Sequence, residues 1–353
     1  MNQHTIFNLP VCLAVEDDAF LFSDEIIKRY IPDIVGQKTL IVSGTFIINF
    51  YKDKILEISR DFGNAEIFTV SDASFDEAVR IAKKIYLENI KIVIGIGGGR
   101  VLDTAKYAAH ISKTVYICMS TSLSNDSLAS PFSVLEIEKN VRKTIACKIP
   151  TAIIVDTDMV ASAPIDHIRS GIGDTVAKYT SLFDWKLAAT KLCKNVDDFA
   201  YTLVKMSYDS VYHCDEKDIK SCEFIKILSR ALVMSGLAME IANSPRPCSG
   251  SEHLFAHAIE EYYPQIKISH GLSVALGIIP ACIFQGRSPD GIINFFHTYG
   301  LDFNPKSYGI TEDMFADMWE KAKIVRQGRI TILSQIKLDR IQLNEIYNMM
   351  VEI

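Results

Sequence analysis

One segment constrains this chain more than any other. Gly95-Ile96-Gly97-Gly98-Gly99-Arg100 ends the apolar run Ile92 to Ile96 and opens a helix-periodic stretch from Arg100 to about Ile111. A buried strand that turns on glycines into a helix N-terminus aims several backbone N–H groups at one spot, which suits a pyrophosphate. The pattern differs from the usual G-x-G-x-x-G fingerprint, because arginine stands at 100 and the turn follows the third strand read here rather than the first. It also lacks the Gly-Lys-Ser/Thr ending of a P-loop. The competing reading is a tight turn and nothing more. Asp103 and Lys106, one turn further on, read either as contacts to a nicotinamide amide or phosphate or as helix-surface charges.

Around this turn, short β-branched runs alternate with longer amphipathic stretches, the pattern of a doubly wound parallel sheet covered by helices. Lys38 to Val42, Glu66 to Val70, Ile92 to Ile96 and Thr114 to Cys118 read as strands, with helices over Thr45 to Phe62 and Phe75 to Glu88 between them. Val141 to Lys148 and Ala152 to Val155 read as two more strands. The Ser/Thr/Asn/Asp-rich stretch Thr121 to Ser130 lies beyond a strand's carboxyl end, where ligands collect in such sheets. Past Ala161-Ser162-Ala163-Pro164 the β-branched runs stop, and helices are expected over Ser181 to Leu192, Phe224 to Ala242 and Met314 to Val325. The domain boundary is placed near Ser162, and Lys191 to Lys220 reads as a polar helical region.

A formal charge of -6 over 353 residues supplies no dense basic face for nucleic acid or an anionic membrane. No apolar run approaches the roughly 20 residues of a bilayer span, and Met1 to Pro10 lacks a basic stretch followed by an apolar core. The 8 cysteines are scattered, with no CxxC pair, so reduced thiols in a cytoplasmic protein are expected.

In the helical half, three segments carry metal-ligand residue types: Gly171-Ile172-Gly173-Asp174, Gly250-Ser251-Glu252-His253-Leu254-Phe255-Ala256-His257, and Ser269-His270-Gly271. One Asp and two His on a divalent ion leave a coordination position open for water or a substrate oxygen. His253 and His257, four residues apart, share a helix face, but Leu254 stands where H-E-x-x-H has its glutamate. Each histidine taken alone reads equally as a packed structural residue.

Four stretches together carry a resemblance: residues 95–106 (GIGGGRVLDTAK), 120–131 (STSLSNDSLASP), 171–185 (GIGDTVAKYTSLFDW) and 249–253 (SGSEH). In order and spacing they resemble the metal-dependent glycerol dehydrogenase and glycerol-1-phosphate dehydrogenase group, which belongs with iron-containing alcohol dehydrogenases and dehydroquinate synthases. The resemblance, over about residues 38 to 285, implies a dehydroquinate synthase-like fold. Residues 1–161 would form a Rossmann-like NAD(P)-binding α/β domain, and 162–353 an all-α metal- and substrate-binding domain.

Carried over residue by residue, it implies Asp174, His253 and His270 as metal ligands and Gly97, Gly98 and Gly99 as the pyrophosphate loop. Asp103, Thr121, Ser124, Ser130 and Phe132 align with cofactor-contacting positions, Asp126 with a substrate-contacting aspartate, and His257 with a histidine near the nicotinamide. Lys178 stands where iron-dependent members place a further His ligand, which favours zinc with three protein ligands over the four-ligand iron site, with iron or nickel as the alternatives. The implied activity is hydride transfer between NAD or NADP and a small polyol or ketone, with the metal polarising the reacting oxygen and His257 or Asp126 relaying the proton.

Glycerol 1-phosphate and dihydroxyacetone phosphate are the leading substrates, with free glycerol the alternative. Arg246 and Lys178 are the cations most plausibly directed at a phosphate; their bland readings are a helix-terminal surface arginine and an ion pair to Asp174. A dehydroquinate synthase-like lyase would carry a Gly-Gly-Lys-Thr segment after Asp126, where this chain has Ser127-Leu128-Ala129-Ser130. A homo-oligomer is expected. Ser43-Gly44-Thr45-Phe46 offers no carboxylate to reject a 2′-phosphate, so NADP(H) should be accepted beside NAD(H).

Overall fold

The computed structural model describes residues 7–34, 36–139 and 141–353; residues 1–6 of the Met1 to Pro10 reading lie outside them. The first part contains β1 (Cys12–Glu16), α1 (Ser23–Tyr30), β2 (Thr39–Gly44), α2 (Thr45–Phe50), α3 (Lys52–Asp61), β3 (Glu66–Val70), α4 (Phe75–Leu87), β4 (Ile92–Gly97), α5 (Gly99–Ser112) and β5 (Val115–Ser120). It continues with β6 (Phe132–Glu138), β7 (Val141–Ala146) and β8 (Ala152–Asp156). Helices then follow: α6 (Thr157–Ser162), α7 (Ile165–Val176), α8 (Lys178–Lys191), α9 (Asp198–Tyr212), α10 (Cys222–Ala242), α11 (Ser251–Tyr262), α12 (His270–Phe284), α13 (Asp290–Tyr299), α14 (Glu312–Ala322) and α15 (Arg340–Glu352).

Six strands form one parallel sheet in the order β1-β8-β5-β4-β2-β3. Its central strands are apolar on both faces because helices cover both. Ile41, Ile94, Ile117 and Ile154 point toward Ile27 of α1 and Ile55 and Ile58 of α3. Leu40, Val93, Cys118 and Ile153 point to the other side, into a core shared with α4, α5 and the helical half. Since β2 is flanked by β3 on one side and β4 on the other, the chain reverses its direction across the sheet there. The glycine turn therefore opens at a switch point, beside the carboxyl end of β2, with Ile96 in register with Ser43.

Three readings of the sequence need correction. The turn follows the fourth strand, because Cys12–Glu16 forms the edge strand β1, whose five residues are too few for a clear period. The helix expected over Thr45 to Phe62 breaks at Tyr51 into α2 and α3. Val141–Ala146 does not join the main sheet; it pairs antiparallel with β6, a strand the sequence reading left unassigned, as a hairpin.

In the helical half, α7 and α12 cross with their backbones in contact. A Cβ on Gly271 would meet the Ser170 carbonyl, one on Gly173 the Gly271 carbonyl, and one on Gly171 the Leu123 carbonyl, all well inside van der Waals distance. Ser170 ties the three strands of backbone together: its hydroxyl donates to the Ser124 carbonyl at 2.8 Å and accepts from the Gly271 N–H at 3.0 Å. Because the obstacle at 271 is main chain, relaxation is expensive. Gly271→Ala should lower the unfolding free energy by about 3 kcal/mol, the upper end of ordinary overpacking costs. A urea-midpoint comparison with the wild type checks this, and an unchanged midpoint would contradict so close a crossing.

Candidate active site

Gly97 ends β4, Gly98 caps α5 and Gly99 is its first residue. No side chain caps this helix, so its first N–H groups stay available to an anion. The turn is cradled by the polar loop after β5. Added Cβ atoms on Gly98 and Gly99 would come within 2.9 Å of Ser122 Oγ and 3.0 Å of Ser127 Oγ, and the Thr121 N–H donates to the Gly97 carbonyl at 3.0 Å. Glycine is thus required for close approach at 98 and 99.

Asp103 and Lys106 are not surface charges. Lys106 is 1% exposed, and its Nζ donates to Asp103 Oδ1 at 2.9 Å and to the Ser127 carbonyl at 3.0 Å. The other Asp103 oxygen accepts from the Val134 N–H at 3.1 Å, so the pair ties α5 to the polar loop and to the β6–β7 hairpin. Ser130 Oγ accepts from the Phe132 N–H at 3.2 Å, and Phe132 packs on the cluster containing Leu182, Val204 and Met239. At this junction both residues join the loop to the hairpin. Ser124 contributes its carbonyl to the Ser170 hydroxyl.

Asp174, His253 and His270 converge, with one potential ligand atom from each lying within 4.8 Å of the others. Among the described residues no other group of three acidic, imidazole or thiol side chains does so. Asp174 directly follows Gly173, which meets α12, and His270 adjoins Gly271, so the glycine crossing sets their separation. His253, in the first turn of α11, brings Nε2 to 3.3 Å from Asp174 Oδ1. Its Nδ1 lies 2.9 Å from Glu252 Oε1, a carboxylate with no exposed surface that is also held by the Gly250 N–H at 2.6 Å and the Thr180 hydroxyl at 2.7 Å. Asp174 Oδ2 is buried and accepts no hydrogen bond. Two imidazoles and a carboxylate, with an oxygen left unsatisfied, fit a divalent ion.

Beside this group sits Lys178, with no exposed surface. Its Nζ lies 3.3 Å from Asp174 Oδ2 and 3.7 Å from Asp126 Oδ2, and donates to the Asp174 carbonyl at 2.8 Å. Burial opposes the charge on Lys178, but Asp174, Asp126 and the surrounding site lift its pKa above the ordinary lysine value. Burial likewise opposes ionised Asp174, yet Lys178, His253 and His270 hold its carboxyl below the usual range. Asp126 goes the other way, raised by burial and by Asp174.

His257, one turn beyond His253, lies with its ring centroid 6.0 Å from that of His270. Burial pushes its pKa down to about 4, only partly offset by Glu260. For His270 burial also pulls down, but Glu260, Asp174 and Asp126 outweigh it and lift the pKa to about 9. Glu252 and Glu260 were not singled out from sequence; the signal available was Glu260 at three residues beyond His257 on the same stripe. Arg246 is not an exposed helix-end arginine. It is half-buried and donates to the carbonyls of Asp184, at 3.5 Å, and Ile330, so Lys178 is the cation at Asp174. Arg142 and Arg326 line one small cavity with His257, Glu260 and Glu261.

This geometry agrees with the comparisons to known proteins. Residues 24–164 match the family model for iron-containing alcohol dehydrogenases. The NAD(P)+ glycerol-1-phosphate dehydrogenase of Sulfurisphaera tokodaii is 36% identical over 313 residues, 87% of each chain. Its counterpart from Aeropyrum pernix is 33% identical over 308 residues, 86% of this chain and 87% of that one. A probable glycerol dehydrogenase from Sinorhizobium meliloti superposes with a TM-score of 0.77 at 18% identity, covering 99% of this chain and 98% of the other. At such identity over nearly the whole chain, this protein belongs to the glycerol-1-phosphate dehydrogenase family, within the iron-containing alcohol dehydrogenase fold.

Proposed function

We propose that this chain reduces dihydroxyacetone phosphate to glycerol 1-phosphate with NADH or NADPH, in a cleft between the α/β part, 1–161, and the helical part, 162–353. The observation that carries the reading is the convergence of Asp174, His253 and His270 beside Asp126, Lys178 and His257. The glycine turn holds the cofactor's pyrophosphate through the free N–H groups of α5, with Thr121 and Ser124 nearby in the loop that cradles it.

Asp174, His253 and His270 hold a divalent metal, zinc in this reading because Lys178 leaves the site three protein ligands; when bound it supplies Lewis-acid polarisation of the reacting oxygen. A nicotinamide cofactor would supply the hydride for the carbonyl carbon, and the proton for the oxygen would come from Asp126, directly or by way of His257. Burial favours protonated Asp126, the form able to donate, and keeps His257 neutral, able to accept a proton at Nε2 when the reaction runs toward the ketone. Arg142 and Arg326, beside His257, are the cations available to a substrate phosphate. Edge strand β1 and exposed Leu9, Val11 and Leu13 support assembly with a second copy of the chain. No helix among the described residues is long and apolar enough to cross a membrane.

The decisive experiment is a steady-state panel on zinc-loaded protein. Dihydroxyacetone phosphate should be reduced far better than dihydroxyacetone, and the two nicotinamide cofactors should differ by less than about a hundredfold, or ~2.7 kcal/mol. Equal efficiency on both ketones would move the assignment to glycerol dehydrogenase.

Metal uptake should also release protons. A ligating imidazole must be neutral, whereas His270, with its pKa lifted to about 9, is charged at pH 7 in the metal-free protein. Zinc binding at pH 7 should therefore expel about one proton, and affinity should climb as pH rises toward 9. Calorimetry in buffers of different ionisation enthalpy reads this directly; no buffer dependence would count against the assignment.

Lys178 balances two buried carboxylates. Lys178→Met should destabilise the metal-free protein by about 3 kcal/mol, the cost of stranding a buried partner charge, and zinc should restore part of the loss. Urea unfolding with and without zinc is the measurement, and equal stability of variant and wild type would contradict the charge-balance role.

A further inference from the structure

Helix α11 carries His253, His257 and Glu260 at spacings of four and three, one stripe on one face. Glu260 sits where that stripe meets the first residue of α12. Its Oε1 lies 2.9 Å from His270 Nδ1, and its Oε2 lies 3.4 Å from His257 Nδ1. An ionised carboxylate only accepts hydrogen bonds, so in both contacts the ring must carry its proton on Nδ1. Neutral His257, and His270 once metal uptake has removed its second proton, then turn an unprotonated Nε2 away from Glu260, that of His270 toward the metal group. The 9 residues between 260 and 270, obtained as 270 − 260 − 1, include the whole α11–α12 connection, which this carboxylate closes.

We propose that Glu260 is a positioning residue that fixes the tautomers of His270 and His257 together, coupling the hold on the metal to the state of the proton-handling ring. This rests on the metal reading above. The shared carboxylate is what makes the coupling testable. Glutamine offers one acceptor and one donor at the same places, so it satisfies one Nδ1–H and forces the other ring to accept at Nδ1 and carry its proton on Nε2. Zinc needs the His270 Nε2 lone pair. In the loaded Glu260→Gln protein the amide oxygen must serve His270, and His257 takes the opposite tautomer.

The test measures zinc affinity of metal-free protein by chelator competition and histidine tautomers by long-range 1H–15N spectra of the zinc-loaded form. Glu260→Gln should weaken zinc binding about 10- to 100-fold, the usual cost of losing a ligand's hydrogen-bonded support, and move His257 from the Nδ1–H to the Nε2–H form. In a His257→Ala background the amide has one imidazole to serve, so the same substitution should cost less than about tenfold. Should Glu260→Gln fail to fold, Glu260→Ala must still weaken zinc binding. An affinity equal to wild type, an unchanged His257 tautomer, or the same loss in the His257→Ala background overturns the inference while leaving the metal reading in place. A wild-type chain that takes up no zinc overturns both.

Discussion

The site depends on a backbone contact. Helices α7 and α12 approach until only hydrogen fits at Gly173 and Gly271, α7 meets the Leu123 carbonyl as closely at Gly171, and the Ser170 hydroxyl bonds to main chain of both α12 and that loop. This contact holds Asp174 and His270 near each other although 270 − 174 = 96 residues separate them. It also clamps the polar loop after β5, through Leu123 and Ser124, and that loop carries Asp126 and cradles the glycine turn. Cofactor cradle and metal group are thus referred to one rigid junction, and side-chain packing elsewhere only has to preserve it.

Around the junction, buried charge is balanced group by group. Lys178 stands between Asp174 and Asp126, Glu252 backs His253, and Glu260 backs His270 and His257. Each pairing raises or lowers a pKa against the direction that burial alone would impose, except at Asp126 and His257, where burial prevails. Beside the glycine turn a buried ion pair of Lys106 and Asp103 locks α5 to the loop and hairpin, although burial still prevails at Asp103 and raises its pKa.

What the sequence revealed follows from which features are local. The glycine turn, the buried strand before it and the clustering of ligand-type residues at 174, 253 and 270 stand out because each is a short pattern with a physical requirement behind it. The edge strand Cys12–Glu16 did not, since five residues with one face partly exposed show no clear alternation. The strand Phe132–Glu138 was missed because its partner and its bulge near Glu136 are set by the hairpin and not by residue type. The surface-charge reading of Lys106 stayed open beside the ligand-contact one because nothing in its neighbours announces burial; its partner carbonyl, Ser127, is 21 residues away. Glu260 shows the same limit from the other side: its spacing from His257 was visible, but the second imbalance it corrects lies on another helix.

The apolar core that begins at Leu40 on the sheet runs without a break through α10, α11 and α12 to Met350 of α15. The α/β part thus shares one core with the helical part and keeps a second, around Ile41, Ile94 and Ile154, to itself on the other face of the sheet. Asp174, His253 and His257 lie against that shared core and are almost wholly buried, whereas Arg142, beside His257, is exposed. The geometry of the candidate site is therefore a property of the chain's deepest packing.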